Sequence, residues 1–574
     1  MKLLRLKINE PFRCLQKGFE LDFLREWDMD GDDGFAPYVL AGPNGSGKSN
    51  VLEALAAIFY HVQCQYLVNR PESFDYDEEE NPDGFREEIA IPNAFELEYF
   101  IIPPVTSEYG DSKGFVHIKI AKEPDSGARV YLLNHPDIDN ARPLPRMEAW
   151  EMLPEFVLGY SSGANEILSL PFFKMRFINF DEYIYHLTHQ SDYPGSPQGH
   201  LTFLDTEMNQ AILVCNFLFQ NEGTLEPFRQ DVGIQGLKQF RIIIRQHQRI
   251  EFHQEILKNL KDNERDDTSQ TTALTSALQK NIQRKDGSIR KTGIIDKLVQ
   301  CATCTFYEDE TDSLFLDYWI NPATQDAFKN HFSSILELFQ SFQILLTLNL
   351  YSVSDSLKKD LYQSGSLYVN ETIPTLASDE RVMRFKDLVL VKNGVEDTLY
   401  AKSLSDGEHQ FLHSLGLCLL YKDTNSLFLL DEPETHFNPD WRSKLISRLR
   451  ECFSHAYKKV FREMLITTHT PFLISDSKPE KVLVFEKKER KITVKRPDYN
   501  TLGASINKIT MKTFGKKETI GGYAQNILDD LKRRFKNGED RDLLLEEMDE
   551  KLGDSVEKIL FAKTILDSME KDET

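Results

Sequence analysis

Gly42-Pro43-Asn44-Gly45-Ser46-Gly47-Lys48-Ser49 decides how the rest of the chain is read. These eight residues have the form G-x-x-x-x-G-K-[ST] of a phosphate-binding loop. Before them runs Tyr38-Val39-Leu40-Ala41, an apolar stretch that reads as a buried parallel strand. After them runs Val51-Leu52-Glu53-Ala54-Leu55-Ala56-Ala57-Ile58-Phe59, rich in helix formers at apolar spacing. Strand, loop and helix therefore agree, which a chance glycine-rich turn would not require. Glycines at 42, 45 and 47 let the backbone turn tightly and aim successive N–H groups into one concavity. The helix N-terminus adds partial positive charge, so a polyphosphate fits. Lys48 supplies a point charge to the outer phosphates, and the Ser49 hydroxyl suits Mg²⁺.

Composition bounds the class of protein. A chain of 574 residues has room for two to four domains. No run approaches the roughly 18 apolar residues of a membrane span. Lys2, Arg5 and Lys7 interrupt the N-terminal apolar run too early for a signal peptide. Seven cysteines are few and odd in number, which argues against a disulfide framework and for a reducing, cytoplasmic setting. Cys301 and Cys304 form a lone C-x-x-C and read as buried thiols rather than zinc ligands. A net charge of −23 opposes broad nonspecific binding of nucleic acid, while a local basic groove stays open.

Working outward, residues 3–8 and 19–24 read as a strand pair. The acidic stretch Asp75–Glu88 reads as a solvated loop. Residues 95–101, 115–120 and 129–133 alternate with period two and read as an antiparallel sheet. Phe156 to Glu166 reads as strand, small-residue turn and helix, with Asn165 the guess for a polar group near a nucleotide and an ordinary turn the equal alternative. From about 200 to 350 the chain reads as mostly helical, with a polar, mobile stretch at 262–275. There Arg241, Arg245 and Arg249 fall at i, i+4 and i+8, one face of a helix. With Arg229 and Lys238 they form a basic cluster; Arg284, Lys285, Arg290 and Lys291 form a second. A solvated face is the commoner explanation for such clusters, a nucleic-acid surface the alternative. A hairpin is expected at 384–402, through Asn393-Gly394.

Chemistry resumes at Leu404-Ser405-Asp406-Gly407-Glu408, which opens a helix. Leu427-Phe428-Leu429-Leu430 then reads as a strand ending in Asp431-Glu432-Pro433. An acidic pair at the C-terminal end of a buried strand lies where α/β sheets bind ligands. Asp431 can hold Mg²⁺ through its waters, and Glu432 can orient or deprotonate an attacking water. Leu465-Ile466-Thr467-Thr468-His469-Thr470 reads as another strand with a polar end. His469 could sense a terminal phosphate; a core histidine is the plainer reading.

In order, these four segments resemble the Walker A loop, signature motif, Walker B strand and switch histidine of ATP-binding-cassette ATPases. The opening Ile8-Asn9-Glu10-Pro11-Phe12-Arg13 is similar to that of the chromosome-maintenance (SMC) and RecF-type branch. The chain as a whole resembles stand-alone prokaryotic ATPases of that branch found beside restriction and anti-phage genes, including Septu-type defence ATPases. The resemblance implies an α/β fold: an ABC-type P-loop core with an antiparallel β subdomain and a large, mostly helical insertion. It implies ATP and Mg²⁺ as cofactors. Gly42 to Ser49, Ser405, Gly407 and Arg13 would contact nucleotide, Ser49 and Asp431 the metal, and Glu432 and His469 would be catalytic. It implies a head-to-tail homodimer, or higher even oligomer, in which Ser405 and Gly407 of one copy face Lys48 of the other.

About 360 positions separate Gly42 from Leu404, so an insertion splits the core. The expected division is 1–175 and 381–500 for the two ATPase lobes, 176–380 for the insertion and 501–574 for a helical tail. Asp406 and Glu408 stand where the family often has glycine and glutamine, which suggests slow or conditional turnover. Glu480 and Glu486 form no D-x-D cluster, so no nuclease activity is assigned. The leading expectation is a cytoplasmic ATPase whose ATP-dependent dimerisation gates a partner effector, a nuclease, in anti-phage or restriction-associated defence. The alternatives are a DNA-repair or chromosome-organising ATPase that clamps DNA through the Arg241 face, and a nucleotide-stabilised scaffold.

Overall fold

A seven-stranded sheet assembled from both ends of the chain is the centre of the computed structural model. The structure describes residues 1–574 except 24–34, 68–69, 72–73, 75, 80, 83, 105–113, 135–141, 163–165, 192–199, 205–207, 255, 258–270, 284–288, 364–366, 368–372, 397, 455, 457–459, 490, 516–519 and 574. Asn165, the 262–270 stretch, Arg284 and Lys285 lie outside the described residues.

The first sheet is antiparallel. It runs β2 (Phe19–Asp22), β1 (Lys2–Ile8), β4 (Phe95–Ile101), β5 (Val116–Lys122), β6 (Arg129–Leu132). Its alternating pattern is the expected one: Leu97, Tyr99, Ile118 and Ile120 are buried, and Glu96, Glu98 and Lys119 lie on the wetter face.

In the central sheet the order is β21 (Lys491–Lys495), β20 (Val482–Lys488), β3 (Tyr38–Ala41), β19 (Arg462–Thr468), β18 (Ser426–Asp431), β7 (Phe156–Ser161), β8 (Leu201–Phe203). All neighbours are parallel except β20 and β21. Both faces are covered, which is why β3 and β18 read as unbroken apolar runs. Phe428 and Leu430 enter one core and Leu427 and Leu429 the other. Strands from residues 1–175 and 381–500 thus interleave in a single sheet, and the 176–380 stretch adds its edge strand, β8.

The stretch around Arg241 departs from the helical reading. Ile234–Arg245 is a twelve-residue strand, β9. It sits in an antiparallel sheet ordered β14 (Cys304–Glu308), β15 (Ser313–Trp319), β9, β16 (Met383–Lys392), β17 (Leu399–Tyr400). The i, i+4 spacing of the arginines outweighed a stronger signal, the β-branched run Ile242-Ile243-Ile244. Arg249 lies on another strand, β10 (Arg249–Glu251), paired with β11 (Thr271–Ala273). The three arginines therefore share no helix face, and Arg241 pairs with Asp317 through Nε at 2.5 Å and an η nitrogen at 2.8 Å. Arg290 and Lys291 lie on β13 (Ile289–Gly293), beside β12 (Gln279–Gln283). Helices Met208–Phe219 and Ile335–Thr347 pack behind the β9 sheet in the larger core.

The hairpin at β16–β17 forms as expected, with Leu390 opposite Leu399. Cys301 is buried, but Cys304 is exposed, and both thiols are free. Helices Gly522–Lys536, Arg541–Lys551 and Val556–Glu573 close a small core of their own around Leu528, Leu544 and Ile565. Among the described residues no helix is long and apolar enough to cross a membrane.

Candidate functional site

The phosphate-binding loop joins β3 to the helix Lys48–Tyr66, as its sequence requires. Two of its glycines have no substitute. Gly42 has φ +148°, and a Cβ there would lie 2.4 Å from the Phe485 carbonyl oxygen. Gly47 has φ +96°, and a Cβ there would lie 2.6 Å from Ile492 Cδ1. Strands β20 and β21 thus press the loop from behind. Ser46 is buried with a hydroxyl that has no hydrogen-bond partner.

Lys48 is buried, and its ammonium folds back over the loop to donate to the carbonyls of Gly42 (3.0 Å) and Pro43 (3.1 Å). Burial pushes its pKa down to about 8, against the opposing pull of Glu432 and Asp431.

Parallel pairing of β18 with β19, and of β19 with β3, brings three strand ends together beside Lys48. Ser49 Oγ donates to Asp431 Oδ1 at 2.8 Å. The same carboxylate oxygen accepts from Thr467 Oγ1. Thr467 Oγ1 in turn accepts the Glu432 backbone N–H at 3.1 Å. That contact braces Glu432, which has φ +50°, a left-handed conformation that L-residues rarely adopt. Glu432 Oε1 then lies 2.7 Å from His469 Nε2. The hydrogen bond from His469, with the nearby charge of Lys48, holds the Glu432 carboxyl below its usual range despite burial.

The structure thus brings Lys48, Ser49, Asp431, Glu432 and His469 into one constellation. His469 is exposed beside the catalytic candidate, which departs from the plainer core-histidine reading. The pairing of a hydroxyl with a carboxylate suits a hard, oxygen-seeking cation such as Mg²⁺. Among the described residues no group of three or more His, Cys, Asp or Glu gathers to hold a metal, here or elsewhere. The orphaned Ser46 hydroxyl and the clustered loop amides suit phosphate oxygens.

Arg13 sits apart from these groups. It has φ +53°, lies 3.6 Å from Glu53 and stacks on Phe12. Ser405 and Gly407 also stand apart, at the start of the helix Asp406–Leu420. Ser405 is the N-cap: its hydroxyl accepts the Glu408 N–H, and Glu408 Oε2 accepts the Ser405 N–H at 2.8 Å. Glu408 also pairs with Lys392. Burial alone would raise the Glu408 carboxyl; the hydrogen bonds from Lys392 and Ser405 outweigh it and hold it low. Glu408 therefore closes a capping box, a physical reason for glutamate at that position. Asp406 is exposed. A Cβ on Gly407 would lie 2.7 Å from the His436 carbonyl oxygen, so Gly407 rests on the loop that follows Glu432.

Sequence reading passed over Thr467 and Glu434. Thr467 carries no motif, and its role comes from strand register alone. Glu434 was visible as the second glutamate of Glu432-Pro433-Glu434, but nothing in the pattern marks it as buried.

A family profile described as the AAA ATPase domain matches residues 1–474. No curated protein matches the chain. Three solved structures align at low scores. The SMC head bound to the C-winged helix domain of ScpA shares 11% identity, covers 86% of this chain and 98% of its own, and gives a TM-score of 0.32. The SMC head domain from Thermotoga maritima gives 10%, 87%, 100% and 0.31. The Smc head domain with a coiled coil and joint from Pyrococcus yayanosii gives 11%, 87%, 97% and 0.30. Scores this low add nothing to the assignment. The profile match, by contrast, takes in every member of the constellation from Lys48 to His469, and the chain belongs to the AAA ATPase domain family.

Proposed function

We propose that the protein hydrolyses ATP to ADP and phosphate and that ATP joins two copies head to tail. The observation that carries the reading is the convergence of Lys48, Ser49, Asp431, Glu432 and His469 at the ends of β3, β18 and β19. In this reading the amides of Gly42 to Ser49 hold the phosphates, and Lys48 swings from the Gly42 and Pro43 carbonyls to the outer ones. Ser49 and Asp431 would hold Mg²⁺, which when bound offsets charge on the phosphates. Glu432, kept ionised by His469, accepts a proton from the attacking water. His469 orients Glu432 and stands where a terminal phosphate could be sensed.

Ser405 and Gly407 complete the site only in a second copy. Their helix presents an exposed N-terminus, whose partial positive charge attracts phosphate. Dimer closure driven by ATP would then gate a partner effector, a nuclease in anti-phage or restriction-associated defence. This setting rests on the overall resemblance to defence ATPases and on the absence of an assigned nuclease centre in the sequence.

The test is phosphate release from ATP by purified protein with and without Mg²⁺, beside light scattering with and without ATP. Mg²⁺-dependent release and ATP-dependent dimers are expected. Their absence with every DNA and partner tried would overturn the reading.

A further inference from the structure

We propose that Glu434 is a positioning residue that sets His469 against Glu432 by tying the end of β19 to the loop after β18. The inference rests on the proposed hydrolytic reading and names a further residue for it.

Thr468 Oγ1 donates to Glu434 Oε1. The same hydroxyl accepts the Thr470 backbone N–H at 3.0 Å. One side chain thus grips the backbone on the far side of His469 while anchored to Glu434. Both Glu434 and Thr468 are buried, at 4% and 0% exposure, so the tie is shielded from water.

The other end is equally fixed. Arg442 Nε donates to the Glu434 carbonyl at 3.2 Å, and an Arg442 η nitrogen donates to the Thr435 carbonyl at 2.9 Å. Thr435 Oγ1 donates to the Glu432 carbonyl at 2.9 Å and accepts from Ser162 Oγ at 2.9 Å. The loop carrying Glu432 and the strand end carrying His469 are therefore joined through the Glu434 carboxyl.

Glu434 Oε2 is buried and has no partner. A fully ionised carboxylate with one bare oxygen is unfavourable there, and a proton resolves it. Burial pushes the Glu434 carboxyl up to about 7. The charged groups facing it are Glu432 on its own loop, which raises it further, and Arg442 on the helix Pro439–Ser454, which lowers it. Glu434 therefore stays protonated in mildly acidic solution and loses its proton through neutrality, placing a second negative charge behind Glu432 under alkaline conditions.

The experiment compares wild type, Glu434→Gln and Glu434→Ala. Turnover is followed from pH 6 to 9, and ATP affinity is measured by calorimetry. Imidazole NMR of His-labelled protein, with His469 assigned through His469→Gln, reads the contact without turnover. Glu434→Ala should lower kcat about tenfold or more at every pH, leave ATP affinity within about twofold, and move the His469 signal toward free imidazole. Glu434→Gln keeps the acceptor but cannot ionise. It should retain neutral-pH turnover and the His469 signal, and lose the alkaline decline of wild type near pH 7. Wild-type kcat in Glu434→Ala, an unmoved His469 signal, or an unchanged alkaline decline in Glu434→Gln would each overturn the proposal. Failure of wild type to hydrolyse ATP is a distinct result: it overturns the hydrolytic reading, and the NMR comparison then decides on the tie alone.

Discussion

His469 Nε2 stands 2.7 Å from Glu432 Oε1, and this contact is the largest influence keeping the Glu432 carboxyl ionised. A general base loses its function when it can no longer accept a proton. Glu432→Gln should lower ATP turnover by about 10²- to 10⁴-fold, the usual span of general-base catalysis, while ATP still binds. Single-turnover kinetics beside equilibrium binding measures both. Turnover at the wild-type rate would remove Glu432 from the mechanism.

Replacing the partner tests the same pair from the other side. In His469→Ala the Glu432 carboxyl should climb back toward its ordinary range. Protonation then overtakes it at higher pH, so activity is lost first at the acid end. The variant should lose proportionally more turnover at pH 5.5 than at pH 8, and a parallel loss across the range would contradict this.

Lys48 links affinity to pH in the opposite direction. Its cationic form attracts phosphate, and burial brings its pKa down to about 8 in the nucleotide-free protein. ATP affinity should therefore fall as pH rises past 8, by up to about tenfold per unit, with proton uptake on binding. Calorimetry at pH 7 and pH 9 in buffers of different ionisation enthalpy measures both effects. Lys48→Ala should abolish binding at either pH.

Glu434 also predicts a stability trend. Its carboxyl is raised in the folded protein, so folding is disfavoured once pH exceeds the unfolded-state value. Wild type should thus lose stability relative to Glu434→Gln as pH climbs from about 4.5 to about 7, and level off above. At about 1.4 kcal/mol per tenfold, the gap should reach roughly 3 kcal/mol at pH 8. Denaturant midpoints at pH 5 and pH 8 test the sign.

Two loop glycines should respond unequally to alanine. Gly45 has φ +71° with open space around its missing Cβ, so Gly45→Ala should lose only about 1–2 kcal/mol of backbone preference. Gly47→Ala adds a clash with Ile492 and Cys14 and should cost more, with weaker ATP binding. Thermal unfolding of the two variants side by side gives the order.

Local chemistry was legible in the sequence where one short segment holds the whole instruction. The loop from Gly42 to Ser49 and the strand ending at Asp431 needed no distant partner to be read. Register between strands was not legible. Ser49 and Asp431 lie 382 positions apart, and only parallel pairing brings them within hydrogen-bond reach. Thr467 and Thr468 are adjacent in β19, yet successive strand residues point to opposite sides, so one serves Asp431 and the other Glu434. Nothing in the letters distinguishes their tasks. At Arg241 both periods are present in the letters, and the isoleucine run that buries in the core decides for a strand. Glu408 departs from the family pattern in letters alone, because a pattern of residue types does not reveal a capping box.

Strand β3 is bordered by β19 and β20, with Val39 beside Ile466 and Val482. Both neighbours are made about 430 to 440 residues after it. At roughly 5–20 residues per second, a ribosome needs about 20 seconds to a minute and a half to deliver them. Throughout that interval the newborn Gly42–Ser49 loop hangs on an unpaired strand, so its setting is completed only after β19 and β20 have been made.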